Sequence, residues 1–381
     1  MKKRNVCVVT WFGSSNFGTN LQAYALCHIL KRYGYSVRIL SSVPPFSNVL
    51  SYLYYFFSKS VLYKPWVIVK SIFRKKVRKY YYSCYGNSEM TYWVRSVLRP
   101  TFIYFSFQLK RLIKETDCFI VGSDQVWNTY VGFDPTMFLS FAGDRKRISY
   151  SSSIGAMSIN PIYKDEMKKL LEKFSHISVR ESSSVVILNE LLGRNSVCSV
   201  LDPTLLLTQG DWISFSKPYK GTNEKKHEYV FCYMVGNNDG YERQIQDVLR
   251  MSGLKRMVIV SIEEGLSFPV EDSEVLSNVT PPEFVWLLNN AALICTDSFH
   301  ATAMCINLKK PFVELLRFAE SEKDSQNIRL YNLLNHYKLE DRLYNENTST
   351  WIKDIDYSEI NETLERDRQS SIRWLLDAIE N

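Results

Sequence analysis

Val6-Cys7-Val8-Val9-Thr10 runs into Gly13-Ser14-Ser15-Asn16-Phe17-Gly18, and the order of those two pieces decides the fold. The first is a short, β-branched apolar run, the pattern of a strand covered on both faces in a parallel sheet. The second is a turn. Beyond it Leu21, Ala25, Leu26, Ile29 and Leu30 recur at helical spacing until Gly34 stops the helix. Val37-Arg38-Ile39-Leu40 predicts a second strand. Strand, Gly-rich turn, helix, strand is a βαβ unit, which predicts an α/β chain with a parallel sheet.

The same alternation resumes at Cys118-Phe119-Ile120-Val121, closed by Gly122-Ser123-Asp124. Further strands are predicted at 147–151, 177–179 and 197–200, with helices over 164–173 and 182–191. Leu201-Asp202-Pro203-Thr204 ends this half, and 216–226, with Pro218, Gly221 and several charges, predicts a linker. A second series follows, with strands at 228–235, 257–260, 293–295 and 311–313. Its helices fall near 244–250, over 283–288 and after Ser298, and the tail 351–380 is helical in pattern. At 381 residues the chain is too long for one hydrophobic core. The expected architecture is therefore two Rossmann-like domains facing a cleft, 1–215 and 216–350, with a C-terminal helical tail, 351–381, packing back.

One segment breaks the pattern. Residues 41–114 hold thirteen Lys and Arg against a single acid, Glu89. Subtracting that +12 from the overall +7 leaves −5 for the remainder. The segment is also rich in aromatics, among them Trp66, Phe73 and Tyr80-Tyr81-Tyr82, and predicts a helical insertion at about 45–114. Basic and aromatic residues interleaved suit anionic lipid headgroups or nucleic acid; the alternative is a solvated helix pair. The eight cysteines are scattered with no C-x-x-C pair, which fits buried thiols in a reducing compartment. The start shows no signal-peptide pattern, and no run of about 18 apolar residues predicts a spanning helix.

Six blocks in order resemble the polysaccharide pyruvyl transferase family. They are Asn16–Leu26; Val121-Gly122-Ser123-Asp124-Gln125-Val126-Trp127-Asn128; Ser151-Ser152-Ser153-Ile154-Gly155; Ile177-Ser178-Val179-Arg180-Glu181-Ser182-Ser183; Leu201–Leu206; and Thr296-Asp297-Ser298-Phe299-His300-Ala301-Thr302. Two positions depart from the family pattern. Ala301 stands where members often have Gly, and Asn327-Ile328-Arg329 stands where they often have Ser-Arg-Ile, which makes Arg329 a further candidate. The resemblance implies a GT-B-like fold. It also implies transfer of a pyruvyl group from phosphoenolpyruvate (PEP) to a sugar hydroxyl pair, as a ketal, in cell-surface polysaccharide synthesis. The implied acceptor is a lipid-linked saccharide, and the implied location is the cytoplasm, peripheral on the inner face of the plasma membrane. No cofactor, metal or nucleic acid is expected.

Within those blocks His300 suits an acid/base role, since imidazole titrates nearest neutrality, and it follows a predicted strand end. Arg180 also follows a strand and suits bidentate oxyanion binding, or else pairs with Glu181. Lys323 reaches the same anion or is a surface lysine. Asn16 and Asn20 contact substrate or satisfy the turn. Ser123 and Asp124 face the sugar, or Asp124 caps a helix, while Trp127 offers a face for a pyranose. Ser298 lies at the next helix start. Asp202-Pro203 is expected to fix a turn. Gly13–Gly18 has the spacing of a phosphate-binding loop, and its N–H groups suit an anion. Thr19 stands where a P-loop needs Lys, which excludes a nucleoside triphosphatase. The competing functions are a GT-B glycosyltransferase using a nucleotide sugar, and a membrane- or RNA-associated scaffold built on the basic segment.

Overall fold

A computed structural model describes residues 4–40, 42–44, 49–50, 52–53, 88–219, 228–236, 238, 240–261, 273–318, 326–348 and 350–381. Among them, eleven strands form two sheets, every pair parallel. The first has the order β2-β1-β3-β4-β5-β6, from Asn5–Val9 (β1), Ser36–Leu40 (β2), Cys118–Val121 (β3), Lys146–Ser152 (β4), His176–Val179 (β5) and Val197–Ser199 (β6). The second has the order β11-β10-β7-β8-β9, from Val230–Met234 (β7), Met257–Ser261 (β8), Ser273–Leu276 (β9), Leu293–Thr296 (β10) and Phe312–Glu314 (β11).

In each sheet the chain builds outward one way and then returns to the other side. The reversal lies between β1 and β3 in the first sheet and between β7 and β10 in the second. Ligands of open parallel sheets bind beyond the strand carboxyl ends at such reversals.

The helices are Phe17–Arg32 (α1), Ser88–Trp93 (α2), Ser106–Glu115 (α3), Lys164–Leu171 (α4), Ser182–Leu192 (α5), Pro203–Leu206 (α6), Gln209–Phe215 (α7), Tyr241–Ser252 (α8), Pro281–Asn290 (α9), Phe299–Leu308 (α10), Ile328–Tyr337 (α11) and Ser358–Glu380 (α12). Asn16 caps α1, its side chain accepting from Thr19 N, and Gly34 leaves the helix at φ +91, a conformation glycine adopts without strain.

One hydrophobic cluster runs through both domains. It joins Val6 and Val8 of β1 and Leu21 to Leu30 of α1 to Phe231 and Tyr233 of β7, Met304 and Ile306 of α10, and Leu375 and Ile379 of α12. The tail helix is tied to the first sheet by polar bonds as well. Arg4 Nη1 and Lys146 Nζ both donate to Ile379 O (2.6 and 3.2 Å), and Arg368 Nε donates to Leu205 O (2.8 Å).

The expectation of two parallel-sheet α/β halves with a returning C-terminal helix is met. The tail helix begins at Ser358, with a short 3-10 turn at Thr350–Ile352 before it. The strand β9 and the helices α6, α7 and α11 were absent from the sequence-based expectation, while α3 falls within the expected helical insertion. Of the basic insertion, the segment 54–87 lies outside the described residues, as do Lys323 and most of the expected linker. The described part holds α2, running into a π-helical stretch at Val94–Leu98, and α3.

Candidate active site

Six polar side chains meet where the strand ends of the two sheets face each other. The register of β4 shifts between Ser149 and Ser152, with Ser151 at φ +55, and this bulge turns Ser152 and Ser153 toward the ends of β3 and β5. Ser153 N donates to Asp124 O (2.9 Å), Arg180 N donates to Ser152 O (3.2 Å), and Ser153 Oγ donates to Glu181 Oε1 (2.8 Å).

Arg180 is at the centre. Its Nε donates to Glu181 Oε1 (2.9 Å), its Nη1 donates to Asp202 Oδ2 (3.1 Å), and its guanidinium lies 4.0 Å over the Phe299 ring. Among the described residues its buried Nη2 has no hydrogen-bond partner. Burial opposes the charge on Arg180, but Glu181, Asp202 and Asp124 outweigh it and raise its pKa. Asp202 caps α6 through Thr204 N (2.9 Å) and accepts from Ser123 Oγ (2.9 Å). Burial alone would raise the Asp202 carboxyl; His300, Arg180 and the Thr204 N–H reverse this and hold it well below the usual carboxylate range.

His300 enters from the other domain, one residue into α10, which Ser298 caps through Ala301 N. His300 Nε2 lies 3.4 Å from Arg180 Nη1 and 3.5 Å from Asp202 Oδ2. One neighbour can only donate and the other can only accept, so the ring has a partner whether or not Nε2 carries a proton. The ring packs on α1. A Cβ on Gly18 would fall 2.4 Å from His300 Nδ1 and 2.5 Å from His300 Cβ. Gly18→Ala must therefore displace His300, and a stability loss of about 1–3 kcal/mol is expected by urea unfolding.

Two more arginines face this region. Arg317 Nε donates to Asp297 Oδ2 (3.2 Å), whose carboxylate also accepts from Val235 N, Gly236 N and Tyr241 Oη. Among the described residues Arg329 donates from its guanidinium to Gln326 alone, at O and Oε1 (both 3.2 Å). Burial, then Arg180 and Arg317, pull Arg329 down to about 9 against the opposing pull of Glu181 and Asp124. The cluster thus has a guanidinium N–H with no acceptor and a guanidinium crowded by like charge. An anion at this point would relieve both costs.

Glu314, at the end of β11, is buried beside it. Thr302 Oγ1 contacts both Ser298 O and Glu314 Oε2. The hydroxyl donates to each, to the Ser298 carbonyl at 3.1 Å. Burial pushes the Glu314 carboxyl well above its ordinary range, against the pull of Thr302, Arg317 and Arg329. The sign follows: the folded chain takes up this charge at higher pH than the unfolded one, so this contribution to stability falls as pH rises above the ordinary value of about 4.3. Glu314→Gln is expected to remove this slope in melting temperature against pH.

The sequence candidates divide. His300, Arg180, Ser123, Asp124, Asn16 and Ser298 are brought into one connected region. Asp124, at φ +67, accepts from Thr19 Oγ1 (2.8 Å), and Asn16 Oδ1 accepts from Tyr233 Oη across the domains (3.3 Å). Asn20 is fully buried and its amide braces the loop, accepting from Gly13 N and donating to Ser14 O and Asn16 O. Trp127 is a core residue: it stacks on Phe138 at 5.6 Å, meets Phe174 edge-on, and donates to Met137 O. At 1% exposed it offers no platform to a sugar. The α1 N-terminus is also largely spent, Phe17 N on Tyr233 Oη and Thr19 N on Asn16. Asp202, taken from sequence as a turn former, both caps a helix and joins the cluster; its place directly after the last strand of the first sheet was the available signal. Arg317 carried no sequence signal beyond following β11. No group of three or more His, Cys, Asp or Glu among the described residues is placed to hold a metal ion.

Comparison with known proteins adds a family. The family model described as polysaccharide pyruvyl transferase matches residues 16–316. No curated protein matches the chain. Solved structures that resemble it include UDP-N-acetylglucosamine 2-epimerase from Rickettsia bellii, at 9% identity over 99% of this chain and 97% of that one, with a TM-score of 0.46. Another is UDP-GlcNAc 2-epimerase from Neisseria meningitidis bound to UDP-GlcNAc, at 12% identity over 95% of this chain and 100% of that one, with a TM-score of 0.45. A third is an alpha-glucosyltransferase in complex with UDP and DNA, at 9% identity over the whole of both chains, with a TM-score of 0.48.

Proposed function

The chain belongs to the polysaccharide pyruvyl transferase family, a transferase family acting on polysaccharides, and from that premise we propose that it moves the three-carbon unit of PEP onto two hydroxyls of a saccharide. The product is a cyclic ketal and inorganic phosphate. The observation that carries the donor assignment is the arginine cluster, with Arg180 Nη2 unpartnered among the described residues and Arg329 depressed by burial and then by its cationic neighbours. PEP presents a phosphate and a carboxylate, and two anionic groups suit several guanidinium groups.

The reaction adds a proton to C3 of PEP, which makes C2 electrophilic. One sugar hydroxyl adds to C2 and loses its proton, the C2–O bond to phosphate breaks, and the second hydroxyl closes the ring. Of the two hydroxyl protons, one balances the proton gained at C3 and the other leaves with phosphate. His300 is assigned the proton transfer, because a donor and an acceptor stand ready for either state of its ring. Arg180, with Arg329 and Lys323, is assigned the oxyanion. Asn16, Asp124 and Ser298 are assigned to orient donor and sugar, and Ser123 to hold Asp202. The acceptor is taken to be lipid-linked and the enzyme cytoplasmic.

Thermal shift tests the donor. PEP is expected to raise the melting temperature at millimolar concentration, while UDP and UDP-sugars leave it unchanged. The reverse result would instead support a nucleotide-sugar glycosyltransferase.

A further inference from the structure

We propose that the face built from residues 49–50, 52–53 and 104–114 seats the protein on an anionic lipid bilayer. Sixteen large hydrophobic side chains are exposed among the described residues, and seven of them lie between 49 and 107: Val49, Leu50, Leu53, Tyr92, Val97, Phe105 and Phe107. Leu50 is 81% exposed, Val49 71% and Phe107 65%. Exposure on this scale, gathered in one part of the chain, marks an interaction surface rather than scattered surface residues. The two segments are adjacent in space, because Tyr52 Oη donates to Tyr104 O at 2.7 Å. Phe105 and Phe107 lie nearly parallel, 5.7 Å apart at 7°.

Charge selects the partner. Lys110, Arg111 and Lys114 are exposed along α3, and Arg99 is exposed after the π-helical stretch. Arg111 is held by Glu115, an exposed pair that water and salt readily exchange. In sequence the neighbouring stretch 54–87 carries eight Lys and Arg and no acid. The rest of the chain is net negative, so an anionic surface attracts this face and repels the others. Val49, Leu50 and Leu53 are aliphatic, with no π-face on which a base could stack, whereas the headgroup–acyl boundary accepts aliphatic and aromatic side chains alike. This favours a bilayer over RNA. No helix among the described residues is long and apolar enough to cross a membrane, so the contact is peripheral. The inference does not depend on which donor or acceptor the site uses.

The test is cosedimentation of the full chain with phosphatidylcholine vesicles, with and without an equal part of phosphatidylglycerol. Binding is expected only with phosphatidylglycerol and is expected to fall as salt rises. Leu50→Asp with Phe107→Asp, and separately Lys110→Glu with Lys114→Glu, are each expected to weaken binding about tenfold or more while unfolding midpoints stay unchanged. No binding by the unaltered protein overturns the proposal, and so does binding that neither pair of substitutions weakens. Tight binding of single-stranded RNA that survives Leu50→Asp with Phe107→Asp, alongside weak vesicle binding, would assign the face to nucleic acid instead.

Discussion

His300→Ala is expected to bind PEP nearly as tightly as the unaltered enzyme and to turn over roughly a hundred- to ten-thousand-fold more slowly, the usual worth of a positioned proton-transfer group. The oxyanion assignment rests on guanidinium groups that this change leaves in place. His300 Nε2 meets Arg180 and Asp202 only at 3.4 and 3.5 Å, so losing the ring breaks no short bond in the cluster. Affinity from calorimetry and turnover from phosphate release separate the two effects. If PEP affinity and folding stability fall together with turnover, His300 is holding the domains together instead of moving a proton.

Arg180→Ala is expected to do more than weaken PEP binding. Its guanidinium neutralises Glu181 and Asp202, whose side chains are 2% and 0% exposed. Removing one partner of such a buried network strands the others, at a cost of about 3–5 kcal/mol. The pH dependence has a definite sign. Asp202 titrates below its ordinary value of about 3.9, so its stabilisation is present above that pH and is lost as pH falls. Without Arg180 that stabilisation shrinks, and the protein is expected to be weaker at neutral pH. Arg180→Lys separates folding from binding. It keeps a charge for the two carboxylates but loses the fork, so folding is expected to recover substantially while PEP affinity stays at least about tenfold down. Full recovery of PEP affinity by lysine would show that the buried network, and not the donor, is what Arg180 serves.

Much of the fold was legible because parallel strands buried on both faces leave short continuous apolar runs. Cys118–Val121 is predicted and observed at the same residues, and β1, β4, β5, β7, β8 and β10 agree within one or two residues at most ends. The strand β9 has no such run: Ser273-Glu274-Val275-Leu276 is an edge strand with one exposed valine, and periodicity over four residues carries little information. Helix α7 depends on tertiary contact through a single anchor, Trp212, which is fully buried and donates to Thr204 O, whereas α11 buries Leu330, Leu333, Leu334 and Tyr337 at helical spacing, a signal the sequence did carry.

The site was legible as a set of strand ends and not as a geometry. Arg180 and His300 are 120 positions apart, and their approach follows from the strand ends of the two sheets facing each other, which no local pattern encodes. Aromatic residues misled for the opposite reason. Trp127 follows a strand end as a sugar platform would, yet Phe138 and Phe174 cover it. Gly18 looked like part of a turn; its role is to let the His300 ring approach α1.

The most direct test is to incubate the enzyme with PEP and a galactose- or mannose-bearing glycolipid, and to follow phosphate release together with the mass of the acceptor. The account predicts phosphate formed only when both substrates are present, with an equal amount of acceptor carrying a pyruvate ketal. An acceptor that gains a sugar from a UDP-sugar, with no PEP-dependent product across a broad acceptor panel, would contradict it.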